Sequence, residues 1–192
     1  VLSAHILAGC EENGDDFLDG GVNSGCNSGD YTPASQSAYV LPYSSGQSYF
    51  LTQGNCGGFS HKGAQRYAYD FGLPLGTTVV AARAGTVIDL TEIYPDGNGG
   101  TDGNFVAIQH SDGSVAIYGH LTQGGVVVNV NDVVAQGATI ALSGNSGFSS
   151  GPHLHFVVNS SLYSNESIPV TFSNSSPAEL LNLREGQMYT AL

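Results

Sequence analysis

Two histidines separated by one residue stand in GPHLHF, residues 151–156. In a β-strand, residues i and i+2 point to the same face, so His153 and His155 are expected to present their imidazoles side by side. The preceding SGNSGFSSGP is rich in turn-forming residues, which places the pair at the mouth of a sheet rather than in its middle. On its own the pair is modest evidence for a metal site, and chance surface histidines are the alternative. The other candidate ligands in the chain strengthen the metal site.

A second pair of candidate ligands lies earlier in the chain, where His61 precedes Asp70 by nine residues in HKGAQRYAYD. Imidazole nitrogen and carboxylate oxygen are ligands that zinc accepts. A catalytic zinc site uses three protein ligands and keeps a fourth position open for water. His61, Asp70 and one histidine of the HLH pair would supply such a set.

The other histidines are expected to have different roles. His120 ends the run SVAIYGHL, where strict alternation puts it on the same strand face as Tyr118. Since it is not needed as a ligand, His120 is free to act as an acid or base. His110 lies in a turn and His5 lies near the start of the chain, and we expect neither to take part in chemistry.

The elements that position these residues have the pattern of strands. The chain contains 27 glycines and few lysines or glutamates, a composition that favours short strands joined by turns. Alternating or β-branched runs bounded by turn residues follow one another from RYAYDF to HLHFVVN. The Asp-Gly pair in HSDGS predicts a hairpin in which the strands of Val106 and Ile117 pair antiparallel. We therefore predict an all-β, mostly antiparallel protein.

One helix is predicted, over SPAELLNLRE, residues 176–185. Ser176 is a suitable cap, Pro177 suits the first helical position, and Glu179 stands three residues after the cap.

The formal net charge is −12, and there is no basic stripe that would neutralise phosphates, which argues against nucleic-acid binding.

The opening VLSAHILAGC ends in a sequence that resembles the lipobox of bacterial lipoproteins, whose cysteine, here Cys10, is lipidated. The alternative is an ordinary disordered arm. Lipidation of Cys10 would leave Cys26 and Cys56 to form a disulfide in an oxidising compartment, a pairing that the sequence leaves as a hypothesis.

The blocks HKGAQRYAYDFGLPLGTTVVAARAGTVI, YGHL, VNVNDVVAQGATIALSGNSG and GPHLHF occur in this order and resemble the LytM/lysostaphin-type zinc endopeptidases of bacterial cell walls. The resemblance covers roughly residues 50–158 and implies a β-sandwich with a duplicated hybrid motif, little helix and one Zn²⁺ per chain. It also implies a role for five side chains. Those expected to bind zinc are His61, Asp70 and His155, and those expected to be catalytic are His120, as the base, and His153, as the oxyanion-binding or proton-donating group.

Two positions depart from the pattern that the resemblance implies. Many members place the aspartate four residues after the first histidine, and here the loop KGAQRY must close a longer gap between His61 and Asp70. The usual glycine-aspartate turn appears as Asn131-Asp132, and asparagine tolerates the left-handed conformation that glycine would supply.

We accordingly divide the chain into four segments: residues 1–10 as the remnant of a lipoprotein-type signal, 11–36 as a flexible acidic tether, 37–172 as the zinc endopeptidase domain, and 173–192 as a C-terminal extension with the short helix. The expected function is hydrolysis of the stem peptides or cross-bridges of peptidoglycan by an exported, periplasmic or envelope-bound monomer that meets the membrane only through a lipid anchor. Two alternatives are a secreted zinc peptidase that acts on glycine-rich proteins and a non-catalytic regulator of another cell-wall hydrolase.

Overall fold

The structure, a computed structural model, describes residues 26–27, 30–100, 102–162, 164 and 166–192. These residues include the 3-10 turns Ala34–Gln36 and Gly63–Gln65, and they contain no helix that is long and apolar enough to cross a membrane. The strands in the described residues are β1 (Ser48–Gln53), β2 (Tyr69–Phe71), β3 (Thr78–Val80), β4 (Gly85–Thr91), β5 (Asn104–Gln109), β6 (Val115–Val126), β7 (Val133–Val134), β8 (Thr139–Ser143), β9 (Leu154–Asn159), β10 (Ser175–Ser176) and β11 (Met188–Ala191). Cys10 and His5 lie outside the described residues.

The strands form one antiparallel sheet in the order β10-β11-β1-β2-β9-β6-β5-β4-β7, and this confirms the predicted all-β class. The sheet branches at the long strand β6, which pairs with β5 and β9 along its first half and with β8 near its end. Strand β8 in turn pairs with β3. The site described below lies over the central strands β2, β9 and β6.

The predicted Asp-Gly hairpin is confirmed. Val106 pairs with Tyr118 and Ala107 pairs with Ile117 across the antiparallel strands β5 and β6. The backbone N–H of His110 donates to the carbonyl of Ser114 at 2.8 Å, closing the loop.

Alternation along the central strands separates a buried core from a groove. Phe71 of β2, Phe156 of β9 and Tyr118 of β6 are fully buried on one face of the sheet. Their sequence neighbours Asp70 and His155 point to the other face, because successive side chains of a strand alternate. Asp70 and His155 are also direct cross-strand partners, so the pairing of β2 with β9 brings the two side chains together.

The helix predicted over residues 176–185 is not formed. Ser176 instead pairs with Thr190 where β10 meets β11, and the carbonyl of Leu180 accepts a hydrogen bond of 3.0 Å from the backbone N–H of Ala34. A helix of ten residues is marginal in water unless it buries an apolar face, and Leu180 is 73% exposed. Pairing with distant parts of the chain therefore replaces the local helical hydrogen bonds.

Part of the segment expected to be a flexible tether packs against the domain. Tyr31 is buried and its hydroxyl donates to the side-chain oxygen of Asn55 at 2.9 Å, and Ala34 is also buried. A disulfide joins Cys26 to Cys56. The described end of this segment is thus attached to the loop that leads into His61, whereas residues 11–25 lie outside the described residues.

Removal of this disulfide is expected to lower the free energy of unfolding. The bridge closes a loop with a sequence separation of 30 residues, and the chain-entropy relation gives a loss of about 3 to 4 kcal/mol for a loop of this length. Urea unfolding of the Cys26→Ser/Cys56→Ser protein in a Cys10→Ser background, compared with Cys10→Ser alone, measures the loss. Equal unfolding free energies would show that the bridge does not stabilise the fold.

Candidate metal centre

Three side chains from two strands and one loop converge on the groove side of the sheet. Each of His61, Asp70 and His155 offers one ligand atom, and these atoms all lie within 4.8 Å of one another. His155 Nδ1 is 2.8 Å from Asp70 Oδ1, and His61 Nε2 is 3.3 Å from Asp70 Oδ2. The spacing of nine residues between His61 and Asp70 is therefore compatible with one shared site.

The environment of His61 fits a cation. Its Nδ1 is 2.8 Å from the carbonyl of Gly54, which can only accept, so Nδ1 carries the proton and Nε2 presents its lone pair to the cluster. His61 Nε2 is buried and has no hydrogen-bond partner among the described residues. An unsatisfied buried nitrogen is costly. A metal ion held by His61, Asp70 and His155 would satisfy it, and two imidazoles with one carboxylate form a donor set suited to zinc.

Asp70 is the negative centre of the cluster. Burial alone would raise the pKa of its carboxyl, but the neighbouring imidazoles of His155 and His61 outweigh burial and hold this pKa well below its usual range. Asp70 is therefore ionised at neutral pH, as a metal ligand must be.

His120 reaches the groove through a β-bulge. The register between β5 and β6 shifts between the pairs Phe105 with Gly119 and Asn104 with Leu121, which makes His120 the extra residue, with φ +60°. The expectation that His120 shares a face with Tyr118 is wrong, because Tyr118 points into the core. A bulge of this kind re-aims one side chain, and here it turns His120 toward the groove.

His120 and His153 lie next to each other with their free nitrogens available. Their ring centroids are 4.6 Å apart. His120 Nδ1 donates to the carbonyl of Ser146 at 2.8 Å, and His153 Nδ1 donates to the carbonyl of Gly151 at 2.8 Å. In each ring Nε2 is therefore the nitrogen that remains for chemistry. Burial, followed by repulsion from His153, lowers the pKa of His120 to about 4, which keeps this ring neutral and able to accept a proton near pH 7.

Ser146, whose carbonyl accepts the hydrogen bond from His120, lies in a segment that is held by further hydrogen bonds. The loop between β4 and β5 accepts hydrogen bonds from the segment around Ser146: Asp96 Oδ1 accepts from the N–H of Asn145 at 2.6 Å, and Asn98 Oδ1 accepts from the N–H of Gly147 at 2.6 Å. Neither contact has a signal in the sequence, because each joins segments that are distant along the chain.

The cluster lies in an open groove with a volume of about 870 Å³. Phe59 and Phe148 line it and are strongly exposed, at 79% and 71%. None of the described residues that line it is a lysine or arginine. Asp70 is the only acidic side chain among the described lining residues, so away from the cluster the groove has no carboxylate, lysine or arginine and is partly aromatic. Such a groove suits an extended peptide. Both phenylalanines stand in glycine- and serine-rich segments, GGFS and SGFSS, where an isolated aromatic residue is a usable but weak signal.

His110 and Asn131 were also the subject of predictions from the sequence. His110 lies outside this groove, and its Nδ1 donates to the carbonyl of Ala84 at 2.9 Å, which is a structural role. Asn131 has φ +77°, the left-handed conformation expected of it.

Comparison with known proteins links this arrangement to a family. Residues 64–167 match the sequence pattern of peptidase family M23, a range that begins just after His61 and contains the other four site residues. The chain is 38% identical over 87 residues to the peptidoglycan DD-endopeptidase ShyA of Vibrio cholerae serotype O1, a match that covers 45% of this chain and 18% of ShyA. It is 35% identical over 116 residues to lysostaphin of Staphylococcus simulans, covering 59% of this chain and 22% of lysostaphin.

The solved structure of pseudoalterin, an M23 metalloprotease from the deep sea, aligns with a TM-score of 0.54 at 20% identity and covers 81% of this chain and 96% of that chain. At this identity the likeness shows a common fold. The matched part of this chain spans about a fifth of the length of ShyA and of lysostaphin.

Proposed function

The chain belongs to peptidase family M23, and from this membership we propose that it is a zinc-dependent endopeptidase that hydrolyses the peptide cross-links of bacterial peptidoglycan. The observation that carries the proposal is the cluster of His61, Asp70 and His155 beneath two further histidines in an open groove. ShyA, a relative in sequence, is named a peptidoglycan DD-endopeptidase. A non-catalytic regulator is disfavoured, because all five side chains of the expected site are present.

In this proposal the two histidines that are not metal ligands, His120 and His153, transfer protons or stabilise the negative charge of the oxyanion. Zinc held by the three ligands would lower the pKa of a bound water to near 7 and polarise the scissile carbonyl. His120 is neutral and has Nε2 free, so it takes the proton of the attacking water. The carbonyl of Gly151 fixes Nδ1 of His153 and leaves Nε2 to face the reaction. In the form that carries a proton on both nitrogens, His153 would donate from Nε2 to the oxyanion or to the leaving amine.

A second candidate function is hydrolysis of glycine-rich proteins. It is supported by the groove lining, in which the described residues provide no cation for a carboxylate-bearing stem peptide. The exposed Phe59 and Phe148 line this groove, where their aromatic rings could pack against a chain of small residues.

We also propose that the protein works outside the cytoplasm, anchored to the envelope through lipidated Cys10. The disulfide between Cys26 and Cys56 supports an oxidising compartment, since such bonds are rare in the cytosol. Mass analysis of the protein expressed with its native leader would detect the lipid on Cys10.

The test is mass spectrometry of substrates digested by the zinc-loaded full chain. One wall preparation carries D-alanyl-diaminopimelate cross-links, a second carries glycine bridges, and the third substrate is a glycine-rich protein. We expect cross-linked dimers to disappear from at least one wall, with new peptide termini that identify the bond. Cleavage of the protein substrate alone would replace the first candidate by the second. No cleavage of any substrate by zinc-loaded protein would overturn both.

A further inference from the structure

We propose that Gln65 is a positioning residue for the metal centre, one that holds His155 in the tautomer that binds metal. This inference rests on the metal centre of the proposed function. Gln65 Oε1 is 3.0 Å from His155 Nε2, the ring nitrogen opposite the one that faces Asp70. The contact joins a loop residue to a strand residue 90 positions away in the chain.

The backbone around Gln65 is fixed on both sides. Its N–H donates to the carbonyl of Lys62 at 3.0 Å, within the 3-10 turn Gly63–Gln65, and its carbonyl accepts from the N–H of Ala68 at 3.0 Å. The turn lies between His61 and Asp70, two of the three ligands. The same loop that spans the gap between these ligands therefore delivers a polar side chain to the third.

The chemistry of the contact determines which nitrogen of His155 can bind metal. An amide oxygen only accepts, so His155 Nε2 must carry the hydrogen. If Nδ1 gives its lone pair to a metal ion, the single N–H of the neutral imidazole is at Nε2, where Gln65 Oε1 accepts it. Nδ1 faces the cluster and lies 2.8 Å from Asp70 Oδ1, the carboxylate oxygen that would hold the same ion. For His61 the corresponding acceptor is the backbone carbonyl of Gly54. Such partners orient ligand rings and raise their basicity, and their loss typically costs 10- to 100-fold in metal affinity.

A different role for Gln65 is contact with substrate, because its side chain also borders the groove. The two roles predict different results. A positioning residue affects metal binding in the absence of any peptide, whereas a substrate contact affects only KM. Metal affinity is therefore the deciding measurement, and it does not depend on which bond the enzyme cleaves.

The experiment is competition for Zn²⁺ between metal-free full-length protein and a chromophoric chelator at neutral pH. Gln65→Met keeps the length of the side chain but removes the amide, and we expect it to bind zinc roughly 10- to 100-fold more weakly. Gln65→Glu retains an acceptor and is expected to restore binding to the wild-type level or above. The matched control is Gln187→Met, at an exposed glutamine in the turn before β11 that is not one of the described residues lining the groove, and it should bind as wild type.

Thermal unfolding of the metal-free proteins separates this effect from damage to the fold, and the variants are expected to melt close to wild type. Wild-type zinc affinity in Gln65→Met would overturn the proposal, and a raised KM in the same protein would assign Gln65 to the substrate. Weak zinc binding by Gln65→Glu as well would also overturn it, because the acceptor would then be unimportant. If wild-type protein binds zinc but cleaves no substrate, the proposed function fails while the affinity comparison still decides the role of Gln65.

Discussion

The Asp70→Asn protein is expected to lose its metal and with it all measurable turnover. Asparagine preserves the size of the side chain but removes the negative charge that lies within 3.3 Å of His61 Nε2 and 2.8 Å of His155 Nδ1. Loss of a group that only orients a ligand ring already costs roughly 10- to 100-fold in metal affinity, so loss of a charged ligand should cost more than about 100-fold. Metal content after desalting, measured by atomic emission, and hydrolysis of peptidoglycan are the two readouts.

Asp112→Asn is the matched control for this prediction. Asp112 is also ionised and paired, with Arg83 at 2.6 Å, but it lies in the β5–β6 hairpin and does not line the groove. We expect this variant to retain stoichiometric metal and full activity. Retention of metal by Asp70→Asn at the wild-type level would mean that Asp70 is not a ligand.

Replacement of His120 by alanine should abolish catalysis while metal binding persists. His120 is not one of the three clustered ligands, and its free Nε2 belongs to a neutral ring that can accept a proton. Loss of a general base typically lowers the rate by roughly 100- to 10,000-fold. Single-turnover hydrolysis and zinc content, measured on the same preparation, test both halves of the prediction.

His110→Ala provides the comparison with a structural histidine. His110 is buried, and its hydrogen bond to Ala84 is lost in the variant, so we expect a lower melting temperature. Below that temperature kcat should equal that of wild type, because His110 lies outside the groove lining. Wild-type activity in His120→Ala, or loss of its zinc, would contradict the assigned role of His120.

Several features of this protein were predictable from short stretches of the chain. Alternation within a strand indicated that His153 and His155 share a face, and both line the groove. The Asp-Gly pair predicted the hairpin between β5 and β6, since that turn requires residues that tolerate positive φ, and Gly113 has φ +87°. These predictions depend on the conformation of a few consecutive residues, which side-chain chemistry controls directly.

Other features depend on contacts between residues that are far apart in sequence. The bulge that turns His120 away from Tyr118 exists because β5 and β6 pair with a shifted register, and alternation within β6 alone places His120 on the wrong face. The predicted helix at residues 176–185 gave way to pairing of β10 with β11, and the 3-10 turn that carries Gln65 has a role only because β9 brings His155 beside it. Local preferences are small compared with the energy of packing and strand pairing, so the partners available in the folded chain decide these positions.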